Sequence, residues 1–290
     1  TFQYFILLIA LIASRACLLL LVLSVAVLIT KSDFVIFNLS GICNFIILFQ
    51  NIQGCVTNHR INMKNNYCNL KGIIFDLDGT LNRSKLYYEL YEKQVYVLLS
   101  SFLNKSTDDV LKILHKNGYL QNHGLTSIIR KLGIDSTYFY DLLSNDLEIS
   151  RIISKDDKMS DTLLKLQQMG FSLAVSSNSG RSIVSSILKA LDIESYFQII
   201  ATSDETDLKP SPNPYLYTIE KLNLKPNDCV YVGDRIEMEI NTAKNLGMMT
   251  MFVKSYLLEK ENANHNSVDY VINTPYEIPD LLLSLNKDVI

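Results

Sequence analysis

The chain has 290 residues, a net charge of −3 and a pI near 5.8, and its lysines and arginines are scattered along it. This length allows one large buried core or two smaller ones, and the lack of a basic stretch argues against a dedicated nucleic-acid binder. The five cysteines form no C-x-x-C pair, so they support neither a disulfide framework nor a zinc site, and they favour a reducing, cytoplasmic setting.

The first part of the chain, residues 1–62, is strongly apolar. The only charge in its first 30 residues is Arg15, and a second apolar stretch covers residues 34–49. One interpretation is a membrane anchor, with membrane association confined to residues 1–50. The other is upstream sequence that the working protein lacks, with that protein starting at Met63. We favour the second interpretation, because the remainder is predicted to be a self-contained domain.

From residue 63 onward, short apolar runs alternate with helical stretches. This alternation predicts an α/β fold, in which a doubly wound, Rossmann-like parallel sheet is covered by helices on both faces. The core is assigned to residues 63–83 and 158–290. The predicted strands are residues 72–75, 171–176, 198–202, 229–232 and 248–253, and the predicted helices lie near residues 158–169, 181–191, 212–222 and 236–246, with a last helix in 273–290.

Residues 84–157 carry apolar side chains at helical spacing and no strong strand signal. Leu86, Tyr87 and Leu90 mark one face of a first helix, and further helical segments follow up to Leu143. The pattern predicts an inserted α-helical cap domain above one edge of the sheet. Such a cap can exclude water and contact a substrate, although extra packing without a role in recognition is the alternative.

Two carboxylates, Asp76 and Asp78, lie two residues apart directly after the first predicted strand, and Gly79 follows them. Ionised, this pair repels itself and would also repel a phosphate dianion, so the arrangement needs a divalent cation. The motif therefore predicts a nucleophilic aspartate beside an acid at a magnesium site. The alternative is an acidic turn, since Asp and Gly are common turn residues.

Polar residues also follow the later strands. Ser177 and Asn178 follow the second strand, Lys209 lies in the loop after the third, and Asp234 follows the fourth. Each has an alternative interpretation as a helix cap, a solvated charge or a turn residue. Because the carboxyl ends of parallel strands share one edge of a sheet, however, we expect these side chains to lie together.

At this point the chain resembles the haloacid dehalogenase-like (HAD) superfamily, subfamily I, over residues 70–255. The helical insertion between the first and second motifs resembles the α-helical cap of that subfamily. The four motifs are matched by Phe75–Leu81, Ala174–Asn178, Lys209–Pro212 and Val232–Arg235, and Ala243–Met248 continues as in family members.

The resemblance implies a mechanism residue by residue. Asp76 would attack phosphorus and form an aspartyl phosphate, while Asp78 would protonate the leaving alcohol and then activate water. Magnesium would be held by the carboxylates of Asp76 and Asp234 and by the backbone carbonyl of Asp78. Asp78 also argues against dehalogenation, which has no leaving alcohol to protonate.

Ser177, Asn178 and Lys209 would bind phosphoryl oxygens, and Lys209 would offset the charge of the acids. Many relatives carry a second acid four residues after the fourth-motif aspartate, where this chain has Met238. Glu239 is the expected supporting acid, with Glu237 as the alternative.

The predicted function is a magnesium-dependent phosphatase that hydrolyses a small-molecule phosphomonoester, which would bind near Lys85, Tyr88 and Tyr91. A pyrimidine-type 5′-nucleotidase is the first alternative, because residues 117–125 loosely resemble those enzymes. A sugar phosphomutase is less favoured, since Asn82 and Arg83 replace an acid common in sugar-phosphate mutases. From another class, a non-catalytic interaction protein is disfavoured because the charged motif residues are present.

Overall fold

The computed structural model describes residues 70–119, 124–255 and 267–287, which all belong to one compact unit, Ile61–Ile290. The apolar segment 1–62 and Met63 lie outside the described residues, so both interpretations of that segment stay predictions. Within the described ranges, no helix is long and apolar enough to cross a membrane. The cytoplasmic location likewise stays a prediction.

The core of the unit is a six-stranded sheet in which every neighbouring pair of strands is parallel. The strand order is β3-β2-β1-β4-β5-β6, so β1 lies near the middle of the sheet and the later strands are added on both sides of it. This arrangement confirms the predicted doubly wound α/β fold. The strands are β1 (Gly72–Phe75), β2 (Ser172–Ser176), β3 (Ile199–Ala201), β4 (Cys229–Gly233), β5 (Met249–Val253) and β6 (Tyr270–Ile272).

Both faces of the sheet are buried, which explains why its central strands are continuous apolar runs. Along β1, Ile73 and Phe75 join one hydrophobic cluster while Ile74 joins the other, as the two-residue period of a strand requires. The helices that cover the sheet are α6 (Asp157–Gln168), α7 (Arg181–Ala190), α8 (Asn213–Lys221), α9 (Asn241–Asn245) and α10 (Ile278–Lys287).

Five helices of the described ranges lie between β1 and α6, in the part of the chain predicted for the insertion. Side-chain oxygens of Ser84, Ser106 and Asp135 cap three of them by accepting backbone hydrogen bonds. The boundary of a separate cap domain at residues 84–157 stays a prediction. The helices are α1 (Lys85–Leu103), α2 (Thr107–Lys116), α3 (Leu125–Lys131), α4 (Ser136–Asp146) and α5 (Ile149–Ile152).

Three features differ from the predicted elements. Strand β6 was not predicted, because three residues are too few to show a strand pattern. Residues Ile236–Ile240 form a π-helical turn rather than the start of an α-helix. The last helix begins at Ile278 instead of residue 273, after a short 3₁₀ turn at Pro275–Glu277.

Candidate active site

The loops that follow β1, β2 and β4 border one cavity of about 280 Å³ beneath the inserted helices. This is the edge of the sheet where the sequence placed a ligand site. Of the seven residues nominated for catalysis, phosphoryl binding or metal binding, six line the cavity and Lys209 does not. The six are Asp76, Asp78, Ser177, Asn178, Asp234 and Glu239.

Lys209 lies just below the cavity, with only 1% of its side chain exposed. Its ammonium donates to Asp76 Oδ1 at 2.6 Å and to Glu239 Oε1 at 2.7 Å. The backbone oxygen of Ser176 and the hydroxyl of Tyr231 accept at 2.9 Å. Burial lowers the pKa of Lys209, but the two carboxylates outweigh burial and raise it above its ordinary value. Lys209 is therefore a buried cation that aligns Asp76, and all the contacts described for its ammonium are to protein oxygens.

Three carboxylates gather beside this lysine. Oxygens of Asp76, Asp234 and Glu239 lie within 4.8 Å of one another, and all three residues are buried. Asp234 Oδ1 and Glu239 Oε2 are buried without a hydrogen-bond partner in the described structure. Buried carboxylate oxygens normally accept hydrogen bonds, so these two unpartnered oxygens are available as ligands for a cation.

The pKa values of Asp234 and Glu239 reflect the burial of these acids and the repulsion between neighbouring carboxylates. Burial, followed by the charges of Glu239 and Asp76, raises the pKa of Asp234 well above its ordinary range. Burial and the Asp76 charge raise the pKa of Glu239 to about 8. A bound divalent cation would favour the ionised forms of both carboxyls, and its binding would release protons.

Two glycines let the acidic loops approach each other. Gly79 has a φ of +85°, and a Cβ added there would meet Asp234 Oδ2 at 1.9 Å. A Cβ at Gly233 would lie 2.5 Å from Glu239 Oε2. Any side chain at Gly79 would therefore displace the Asp234 carboxylate from its observed position. This steric contact explains why a residue without a side chain follows Asp78.

The π-helical turn selects Glu239 over Glu237. The amide of Ile240 donates to the carbonyl of Arg235, five residues back, which gives this turn one residue more than an α-helical turn. The wider turn brings Glu239 into the acidic cluster while Glu237 stays exposed. The sequence did not decide which of the two acids supports the site, because a π-helical turn has no recognisable sequence pattern.

Asp78 lies apart from the acidic cluster and faces the cavity. Its carboxylate accepts hydrogen bonds from the Tyr88 hydroxyl at 3.2 Å and from the Ser179 hydroxyl at 3.4 Å. Burial and the charge of Asp76 raise the pKa of Asp78 to about 6. A carboxyl with this pKa can exchange a proton near neutral pH, as an acid–base catalyst must.

Ser177 and Asn178 form the wall that follows β2. The Ser177 hydroxyl accepts from the backbone amide of Ser179 at 3.1 Å and borders the cavity. The Asn178 side chain instead bonds the backbone of Lys209 twice: its Nδ2 donates to the carbonyl at 2.9 Å, and its Oδ1 accepts from the amide at 2.7 Å. These bonds hold the loop of Lys209 against the loop of Ser177.

The inserted helices supply the remaining wall of the cavity. Tyr88 and Tyr91 line it as expected, three residues apart on α1, whereas Lys85 is exposed and does not line it. The sequence reasoning did not place the other members at this wall. Glu92 is on α1 with the two tyrosines, and the others come from separate segments that share no spacing with them. Those members are Glu92, Tyr119, Gly124, Leu125, Thr126 and Tyr140.

This wall is tied to the core loops by specific contacts. The Thr126 hydroxyl donates to the backbone oxygen of Asn178 at 2.5 Å, and Arg130 donates to the backbone oxygen of Ser203 at 2.6 Å. A Cβ added at Gly180 would lie 2.7 to 2.9 Å from ring and Cβ atoms of Tyr140, so α4 packs closely against the start of α7. The cavity is thus bounded by the loops of the sheet core on one side and by the inserted helices on the other.

Comparison with known proteins assigns the chain to a family. A family model described as haloacid dehalogenase-like hydrolase matches residues 73–253. Glyceraldehyde 3-phosphate phosphatase of Methanocaldococcus jannaschii is 28% identical over 230 residues, which cover 76% of this chain and 100% of that protein. Pyrophosphatase PpaX of Bacillus mycoides is 24% identical over 226 residues, covering 74% of this chain and 97% of that protein.

Solved structures agree on the fold. A HAD phosphatase from Thermococcus onnurineus matches with a TM-score of 0.56 and 28% identity, covering 73% of this chain and 98% of its own. CbbY from Rhodobacter sphaeroides, in complex with phosphate, matches with a TM-score of 0.55 and covers 72% of this chain and 96% of its own. At 16% identity, the second match shows the fold alone.

Proposed function

The chain belongs to the haloacid dehalogenase-like hydrolases and is a phosphohydrolase of that family, and on this premise we propose that it is a magnesium-dependent phosphatase acting through an aspartyl-phosphate intermediate. Its substrate is a small-molecule phosphomonoester. The observation that carries this proposal is the gathering of Asp76, Asp234 and Glu239 within 4.8 Å, above the buried ammonium of Lys209 and beside a cavity.

Asp76 is the nucleophile. Its Oδ1 accepts a hydrogen bond from the Lys209 ammonium at 2.6 Å, which fixes the carboxylate beside the cavity. Attack of an Asp76 oxygen on phosphorus forms the acyl phosphate as the bond to the alcohol oxygen breaks. Positioning of this kind converts a bimolecular attack into a unimolecular one.

Asp78 transfers the protons. In its protonated form it gives a proton to the departing alkoxide, and in its ionised form it takes one from the water that hydrolyses the aspartyl phosphate. A pKa of about 6 makes both forms accessible near neutral pH. The Tyr88 and Ser179 hydroxyls, which bond the two oxygens of this carboxylate, keep it pointed at the cavity.

Magnesium fits the donor set, because oxygen ligands from carboxylates are those it prefers and two carboxylate oxygens are buried without partners. Asp76 and Asp234, with the backbone carbonyl of Asp78, would hold it, and Glu239 would support them. When bound, the cation neutralises charge between the acids and the phosphoryl oxygens. Ser177, the backbone amide of Asn178 and the positive charge of Lys209 stabilise those oxygens.

The size of the cavity favours a small substrate. About 280 Å³ is at the lower end of the range for ligand cavities. The two relatives act by name on a triose phosphate and on pyrophosphate, both of which are small. The 5′-nucleotidase alternative rests on residues 117–125, of which 120–123 lie outside the described residues, and no observation favours it or a phosphomutase.

The test is phosphate release from an aryl phosphate, with and without magnesium. We expect Asp76→Asn to abolish turnover, and the control Asp161→Asn, which changes an exposed aspartate of α6, to retain it. EDTA should remove the activity and magnesium should restore it. Acid-quenched wild-type protein should carry one phosphoryl group that the Asp76→Asn variant lacks. Turnover by Asp76→Asn, or full activity in EDTA, would reject the proposal.

A further inference from the structure

The wall that the inserted helices contribute to the cavity carries fewer charged groups than the acidic cluster on the opposite side. Four of the eight described residues of that wall are tyrosines, and Glu92 is the one charged residue among the eight. Arg235 also lines the cavity, but on the side of the acidic cluster. Its positive charge lowers the pKa of both Asp234 and Glu239 there. The part of a substrate that leaves with the alcohol oxygen therefore faces the phenols and one carboxylate.

The carboxylate of Glu92 has no cationic partner among the residues that the structure describes. It accepts a hydrogen bond from the Tyr96 hydroxyl. Burial and then the charge of Glu92 raise the pKa of Tyr119, which shows that the carboxylate acts on the cavity wall. A half-buried carboxylate without a cation favours a ligand that supplies one.

The phenols are suited to the same ligand. Burial raises the pKa of Tyr91, Tyr119 and Tyr140 above the ordinary value, which favours the neutral phenol. A neutral tyrosine offers an electron-rich ring face that attracts ammonium groups, and its hydroxyl can accept a hydrogen bond from them. Neither property helps to bind a second anion.

We propose that Glu92, together with the tyrosines of this wall, selects phosphomonoesters whose alcohol part carries a positive charge, and that it disfavours those whose alcohol part carries a second negative charge. The substrate class is a small amino-alcohol phosphate, with a neutral polyol phosphate as the weaker substrate. This inference rests on the proposed phosphatase function. It adds the group that discriminates between substrates of equal size.

Three phosphate esters of similar size test it on the full chain: 2-aminoethyl phosphate, 2-hydroxyethyl phosphate and phosphoglycolate, together with their three-carbon homologues to vary the reach. These esters carry a positive, a neutral and a negative group on a two-carbon skeleton. For wild-type protein, kcat/KM should fall in that order, by about tenfold or more from the first to the last, as a charge pair in a partly solvated cavity predicts.

The variant Glu92→Gln keeps the shape of the side chain and removes its charge, so the ratio between the cationic and the anionic ester should fall to near one. The matched control is Glu89→Gln, which removes an exposed charge from the same helix one turn earlier and should keep the wild-type ratio. Tyr96→Phe keeps the carboxylate and removes its hydrogen-bond donor, so it should also keep the preference for the cationic ester.

The outcomes separate the two proposals. If wild-type protein hydrolyses an aryl phosphate but shows the same kcat/KM for all three esters, or if Glu92→Gln leaves the ratio unchanged, the inference about Glu92 is wrong while the phosphatase assignment stands. If no phosphate ester is hydrolysed, the proposed function fails, and the selectivity fails with it. A ratio that collapses in Glu92→Gln and persists in Glu89→Gln supports the inference.

Discussion

Replacement of the buried lysine by a neutral side chain of similar length gives the sharpest test of the site. Lys209→Met removes the ammonium and leaves Asp76 Oδ1 and Glu239 Oε1 buried without their partner. Breaking a buried ion pair by removing one partner costs about 3–5 kcal/mol of stability. With a urea m-value of about 2 kcal/mol/M, the unfolding midpoint should fall by about 2 M.

The chain offers a matched control for this variant. Lys155 also contacts two carboxylates, Asp157 at 3.3 Å and Asp192 at 2.9 Å, but 55% of its side chain is exposed. Because solvent screens such pairs, Lys155→Met should leave the unfolding midpoint unchanged within error. Urea unfolding of both variants and the wild type, followed by circular dichroism in EDTA, makes the comparison.

The pH dependence of the Lys209→Met effect has a defined sign. The pKa of Glu239 is raised from 4.5 to about 8 in the folded protein, so between these values the folded state binds more protons than the unfolded state and stability falls as pH rises. Without Lys209, which lowers this pKa, the fall should extend to higher pH. The loss of stability should therefore be larger at pH 8.5 than at pH 6. Equal unfolding midpoints for Lys209→Met and the wild type would refute the description of Lys209 as a buried cation.

Two further substitutions test the acidic cluster. Gly79→Ala should lower phosphatase activity by about a hundredfold, because misplacing the Asp234 carboxylate by even about 1 Å costs that much. Its control, Gly133→Ala, has a similar φ of +76° with nothing within 4 Å, so it should lose stability by about 1–2 kcal/mol and keep its activity. Equal activities of the two variants would contradict the close contact between Gly79 and Asp234. Glu239→Gln should raise the magnesium concentration needed for half-maximal phosphate release by about tenfold or more, whereas Glu237→Gln, which changes an exposed side chain, should not. The same shift in both variants would show that the π-helical turn does not select Glu239.

Some of this architecture was available in the sequence because it depends on local patterns. A run such as Gly72–Phe75 is apolar throughout since both faces of the sheet are covered, and it predicted a buried strand correctly. The motif residues were also recognisable, because Asp76 and Asp78 lie two apart with Gly79 next to them. The sequence could therefore name candidate groups before any distance was known, although their catalytic roles stay predictions.

The structure changed the assignment of particular side chains. The expectation that Lys209 binds phosphoryl oxygens stays a prediction. The structure adds that its ammonium contacts four protein oxygens, including that of Tyr231, which no motif had indicated. Lys85 was expected near the substrate, but it faces solvent, while Glu92 on the same helix lines the cavity. Helical periodicity gives the faces of α1, but it does not give the direction in which the helix lies over the sheet.

The sequence by itself determined the alternating order of strands and helices and the position of the four motifs, because hydrophobic period and turn residues act over a few neighbouring positions. Only the tertiary structure decided which side chains meet. Lys209 and Asp76 are 133 residues apart and bond at 2.6 Å, and the wall of the cavity gathers tyrosines from α1, from α4 and from the segment that follows α2. Such contacts arise from the packing of whole elements against each other, and the packing leaves no repeating pattern in the chain.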